Sequence, residues 1–248
     1  MYQTRTYQKE FNSERFRSFM IAHKETELWI GIDPYSFRDE IKDKALQKVK
    51  EMRKALDNYI SMYPEFANSL VPYHPGENTP VEVIDLCQAS QKAGIGPMSA
   101  VAGLFAQRVG EEICQNFSVE EMVIENGGDL YLLAKDEIVL SVFAGNSPLS
   151  QKVGVKIPAN QTPIGVCTSA GTVGPSFSLG KADAVMVACR DTLVADAFAT
   201  ALGNKVKRAE DVAIMLKSSE EYTQILSVIA ICDEKIGIRG NFEVKFLK

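Results

Sequence analysis

Between Arg38 and Ile60 apolar residues return every three or four positions. Ile41, Ala45, Val49, Met52, Leu56 and Tyr59 form one stripe, and lysines and acids fill the other faces. That period predicts a long amphipathic helix. The chain before it alternates instead, predicting strands at about Gln3–Gln8, Arg15–Ala22 and Thr26–Ile32 with a hairpin corner at residues 22–25. Pro64, Pro72, Pro75, Gly76 and Pro80 mark a loop that contains His74, an exposed bystander on this reading. Thr79-Pro80 then opens a second helix over Val81–Lys92.

Pro97 sits where a third helix would begin, and Ser99, Ala100, Ala102, Gly103 and Ala106 give that helix a small-residue side. Such a side serves either tight packing or the approach of a ligand to the helix N-terminus. Strands follow over Glu121–Ala134, interrupted by Gly127-Gly128, and over Ile138–Phe143, Lys152–Ile157 and Ala184–Ala188. Helices at Leu193–Leu202 and Glu210–Lys217 and strands at Gln224–Ile231 and Phe242–Leu247 complete the pattern. Strands grouped at both ends and in the middle, with long helices between, predict an α+β fold with mostly antiparallel pairing. No fixed-period repeat, low-complexity run or linker divides the chain, so residues 1–248 read as a single domain.

Composition narrows the function classes. The 27 basic residues against 32 acidic ones, net charge -5, offer no general attraction for nucleic acid or anionic lipid. The polar start Met1-Tyr2-Gln3-Thr4-Arg5-Thr6 lacks the apolar run of about seven residues of an export signal. No segment approaches the ~18 apolar residues of a spanning helix. A cytoplasmic protein is therefore expected, its five cysteines reduced and mostly buried. His23 and His74 are the only imidazoles, which leaves few ligands for a zinc site.

Three segments carry candidate chemistry. In Glu125-Asn126-Gly127-Gly128-Asp129, a glycine pair inside a β-like run marks either a hairpin turn or a platform where a ligand comes close. From Cys167 to Gly180, glycines and hydroxyl side chains including Thr168, Ser169 and Gly171 suit either an anion cradle of backbone N–H groups or a plain surface loop. Cys167 as a nucleophile would lack a neighbouring histidine to raise its thiolate fraction. On the predicted helix around Ala195–Gly203, Asp196 and Thr200 are four residues apart, so their oxygens share a face. That pair suits a hard cation such as Mg²⁺, or else a helix-dipole contact with Thr200 bonded to its own turn.

The order of these pieces resembles the ApbE-like superfamily, known as FAD:protein FMN transferases and earlier as thiamine-biosynthesis lipoproteins. The resemblance covers about Gly94 to Gly203, and Gly94–Gly103 is similar to a shorter cytosolic branch. It implies a T-fold-related, mostly antiparallel sheet with long helices packed on a face. It also implies Mg²⁺ on Asp196 and Thr200, with a backbone carbonyl near Ser99 to Gly103, and FAD or FMN lined by Gly127, Gly128, Asp129, Thr168, Ser169, Gly171, Pro97 and Met98. In the transferases Mg²⁺ helps neutralise the FAD pyrophosphate while a protein hydroxyl displaces AMP. Two departures stand out. The transferases' His-x-x-Asp-Pro segment is matched here by Ser178-Leu179-Gly180-Lys181-Ala182-Asp183, without histidine or proline, and their Lys-Gly pair is Ala102-Gly103. Two functions are therefore expected as alternatives: a Mg²⁺-assisted flavin-nucleotide or dinucleotide site, or a catalytically silent binding or assembly protein. A homodimer suits either, because exposed sheet edges pair between copies.

Overall fold

A computed structural model describes residues 14–172 and 178–247. The strand expected at Gln3–Gln8 lies outside them. Strands β1 (Arg17–His23) and β2 (Thr26–Ile32) form a hairpin, followed by helices α1 (Glu40–Met62), α2 (Pro64–Asn68) and α3 (Val81–Ala93). A 3-10 turn over Pro97–Ala100 leads into α4 (Val101–Asn116). Six strands come next: β3 (Met122–Asn126), β4 (Asp129–Leu133), β5 (Ile138–Ser141), β6 (Val153–Ile157), β7 (Ile164–Ser169) and β8 (Ala184–Cys189). Helices α5 (Thr192–Lys205) and α6 (Asp211–Ser219) precede β9 (Ile225–Cys232), β10 (Lys235–Gly240) and β11 (Glu243–Phe246).

Eight strands form one sheet in the order β1-β2-β3-β4-β7-β8-β9-β10, and β11-β6-β5 form a second. Every pairing is antiparallel. Because strand side chains alternate between faces, the large sheet splits its apolar residues between two cores. Leu28, Ile30, Ile124, Tyr131, Val185, Val187 and Val228 pack under the helices. Trp29, Val123, Leu130, Leu132, Val166, Met186 and Ile229 pack against the small sheet. The result is three layers, helices over a large sheet over a small one, with the mostly antiparallel α+β character the residue pattern predicts.

The buried residues of α1 are Ile41, Ala45, Val49, Met52, Leu56 and Tyr59, the stripe legible in the chain. Three elements correct the sequence reading. The proline-rich loop contains α2, whose Phe66 stacks edge-on against Tyr59 and Tyr73. His74 in that loop is exposed, as read, with its Nδ1 3.3 Å from Gln91 Nε2. Strand β10 lies in a stretch with no predicted element, its period broken by Gly237, where a Cβ would meet Leu216 and Val212 at 2.5 Å. Residues 167–169, read as part of a glycine-rich loop, are instead the end of strand β7.

Candidate functional site

Four pieces of backbone converge on the helix side of the large sheet: the β3–β4 turn, the end of β7, the start of α4 and the second turn of α5. The β3–β4 connection is a two-residue hairpin with Asn126 paired to Asp129. Gly127 and Gly128 take φ of 70° and 107°, the positive values that a tight hairpin turn matched to strand twist requires of both central residues. Of the two open readings the turn is therefore present. The buried Glu125 carboxylate accepts the Gly128 N–H at 2.8 Å, and the Asn126 side-chain amide donates to the Ala102 carbonyl at 3.0 Å. The turn is thus tied both to itself and to α4.

Helix α4 begins without a side-chain cap of its own. An N-terminal N–H left unpaired in a buried helix start is costly, and the third residue of α4, Gly103, donates to Asp196 Oδ2 at 2.8 Å. Asp196 belongs to α5, so one helix caps its neighbour. This is a helix-dipole contact of the kind weighed for Asp196, but with the dipole of α4 rather than of its own helix. The approach demands glycine at 103, since a Cβ there would lie 2.7 Å from the Thr192 carbonyl oxygen and 2.9 Å from Asp196 Cβ. Gln107, one turn on, accepts the Thr192 N–H at 2.6 Å and fixes the same two helices again. The small side of α4 serves close packing at Gly103, against α5, and at Gly110, against Tyr131 of the sheet.

Asp129, the first residue of β4, is buried opposite Cys167, whose thiol lies beside the Asp129 carboxyl and donates to the Thr192 carbonyl; the Asp129 carboxyl accepts from the Thr168 N–H. Burial raises its pKa well above the usual carboxylate range, and the nearby negative charge of Asp196 raises it further. Asp196 is pushed up to about 7 by burial, opposed by the Gly103 N–H. Among the described residues no basic side chain forms an ion pair with either carboxylate. Two buried acids side by side without a cation favour sharing protons over carrying two charges. Cys167 is buried with its Sγ 3.4 Å from the Thr192 carbonyl oxygen, and burial beside two acids raises its pKa, which makes it a poor nucleophile.

The remaining candidate residues fall around this pair. Thr200 is half-buried one turn beyond Asp196, and Gly203, another turn on, faces Ser169. Pro97 is buried and Met98 half-buried in the 3-10 turn, which packs against α5. Gly128 stands over the Thr168 carbonyl. The anion cradle expected from residues 167 to 180 is corrected in part. Cys167, Thr168 and Ser169 sit in the strand ladder, and the Gly171 N–H is spent on the Ala182 carbonyl at 2.8 Å, so these amides do not form an open run. The Gly128 N–H is likewise taken. What sequence reasoning missed is the partnership of Asp129 with Asp196 and the latch from Asn126; the available signal was three polar residues flanking a glycine pair in an apolar strand. No group of three or more His, Cys, Asp and Glu side chains arranged for a metal ion occurs among the described residues. Nor is any helix among them long and apolar enough to cross a membrane.

The layered sheet and helix arrangement is that of the ApbE proteins. The flavinyl transferase ApbE of Pseudomonas stutzeri, in its apo form, superposes with a TM-score of 0.59 at 14% identity, over 90% of this chain and 93% of that one. The ApbE protein of Thermotoga maritima gives 0.57 at 12% identity, over 91% and 97%. At such identities the likeness shows the fold. Closer in sequence are archaeal proteins named UPF0280 protein. That of Methanocella arvoryzae is 35% identical over 195 residues, 79% of each chain, and that of Methanococcus vannielii 36% over 225 residues, 89% of each. The family model described as AbpE bacteria matches residues 8–225, and the chain belongs to that family.

Proposed function

We propose that this protein binds a flavin nucleotide or a related dinucleotide together with Mg²⁺ where the β3–β4 turn, the end of β7, the start of α4 and α5 meet. The observation that carries the reading is the buried Asp129–Asp196 pair, which has no basic partner among the described residues, with the half-buried Thr200 one helical turn beyond Asp196. The donor set fits the ion: Mg²⁺ takes one or two protein carboxylates and completes its shell with water and phosphate oxygens, so a three-residue cage is not required. Asp196 and Thr200 would hold it, with Asp129 adding negative charge behind them. Gly127, Gly128, Thr168, Ser169, Gly171, Pro97 and Met98 would line the nucleotide. When bound, the ion supplies charge neutralisation at a pyrophosphate. The chain's own contribution is orientation: the Gly103 N–H fixes one Asp196 oxygen. The names of the structural neighbours support the flavin part of this reading.

The test is a titration of the purified protein with FAD, FMN and ADP, with and without Mg²⁺, following flavin fluorescence and melting temperature. Ligand at 100 times its dissociation constant should stabilise by roughly 2.7 kcal/mol. No shift with any of the three would sink the reading, and Asp196→Ala should abolish the Mg²⁺ dependence if binding occurs.

A second reading, binding without group transfer, is favoured by Gly180. Counting back from Asp183 places it where the transferases carry histidine, and a Cβ there would collide with the Gly203 carbonyl. AMP release from FAD in the presence of a Ser/Thr acceptor protein separates the two readings; sustained release would exclude silence.

A further inference from the structure

We propose that Asn126 is a positioning residue for Asp196, acting through the first turn of α4. The inference rests on the reading of the site given above. Three contacts make the chain of action: Asn126 Nδ2 to the Ala102 carbonyl at 3.0 Å, the peptide link from Ala102 to Gly103, and the Gly103 N–H to Asp196 Oδ2 at 2.8 Å. The Ala102 carbonyl and the Gly103 N–H belong to one planar peptide unit, so a pin on that carbonyl sets the direction in which the N–H points. The pin matters at the first turn because no side-chain cap supplies it there, the Gln107 contact with Thr192 lying a turn further along α4. Its N-cap is Ala100, which makes no side-chain hydrogen bond, and the preceding turn is 3-10 rather than α, so the helix start has no cap to fix its rotation.

The tolerance at this point is small. A Cβ at Gly103 would lie 2.9 Å from Asp196 Cβ, so α4 already sits in contact with α5, and a modest rotation would break the hydrogen bond or drive backbone into the Asp196 side chain. The same asparagine ends β3 opposite Asp129 and opens the glycine turn. One side chain therefore sets the spacing between the turn that carries Asp129 and the helix end that orients Asp196. The residue does not touch the ion or the nucleotide; it fixes the carboxylate that would.

Two variants test this. Asn126→Ala removes the side chain, and Asn126→Asp keeps its shape but replaces the donor with an oxygen facing a carbonyl. Asn116→Ala, at the far end of the same helix where Asn116 donates to Glu112, serves as the control. In ligand-free protein, amide hydrogen exchange at Gly103 should speed up by about tenfold or more in both Asn126 variants while exchange in the strand core is unchanged. In ADP titrations the factor by which Mg²⁺ tightens binding should fall toward one, with Mg²⁺-free affinity retained. Unchanged exchange at Gly103, or a rise shared by the whole core, overturns the proposal by making Asn126 an ordinary structural latch. Wild-type protein that binds ADP equally with and without Mg²⁺ overturns the reading of the site and, with it, the consequence for the metal; the exchange result stands or falls separately.

Discussion

The Asp196 carboxylate has a pKa near 7 in the folded chain against an ordinary value of 3.8. The folded state thus holds a proton that the unfolded state has released, and stability falls as pH rises wherever the native state binds more protons. Between about pH 4 and pH 7, then, the ion-free protein should lose stability through this residue, and Asp129, shifted in the same direction, adds to the loss. Asp196→Asn, which keeps an oxygen for the Gly103 N–H, should melt higher than wild type at pH 8 and level with it at pH 4, both in EDTA. Added Mg²⁺ should raise the wild-type melting temperature more at pH 8 than at pH 5. A variant less stable than wild type at pH 8 would mean that the pair is not strained in the way its burial implies. Gly103 gives a second prediction at this scale: Gly103→Ala places a methyl within 2.7 Å of the Thr192 carbonyl oxygen, and overpacking of this kind costs about 1–3 kcal/mol, measurable in urea unfolding.

Among the elements, legibility followed how local the cause was. The α1 stripe needs only the 3.6-residue period and a sheet to bury it, so six residues read from the chain are the six buried ones, and Leu56→Ala, fully buried in that stripe, should cost about 2–5 kcal/mol. Exchange of the solvent-facing Lys50 for Ala should change unfolding by less than about 0.5 kcal/mol. Strand β7 was obscured because Gly165 breaks its apolar alternation, and that glycine answers to a residue far along the chain: a Cβ would press on the Thr192 side chain at 2.8 Å. The candidate site divides the same way. The spacing of Asp196 and Thr200 and the turn at Gly127-Gly128 are local and could be read. The capping of α4 by α5 and the facing of Asp129 and Asp196 depend on how helices settle on the sheet, and no window of sequence contains them.

At the scale of the molecule, the large sheet separates two cores with different tasks. The helix side of the large sheet carries Asp129, Cys167 and Ser169 toward Asp196, whereas Thr168, paired with Met186, turns to the opposite face, which the small sheet covers through β5 (Ile138–Ser141), β6 (Val153–Ile157) and β11. Phe242 and Val244 pack against that second core, and β11 pairs with β6 along its length. Ending the chain after Gly240 would therefore remove apolar cover from one face and leave the turn at Gly127, the start of α4 and Asp196 untouched. Stability and site should separate: the truncated protein should melt several degrees lower, as loss of a few buried side chains implies, yet keep the wild-type ratio of ADP affinities with and without Mg²⁺ when both are measured well below its melting temperature. Loss of that ratio in a truncated chain that is still folded would show that strain passes through the sheet, and the two cores would then have to be treated as one mechanical unit.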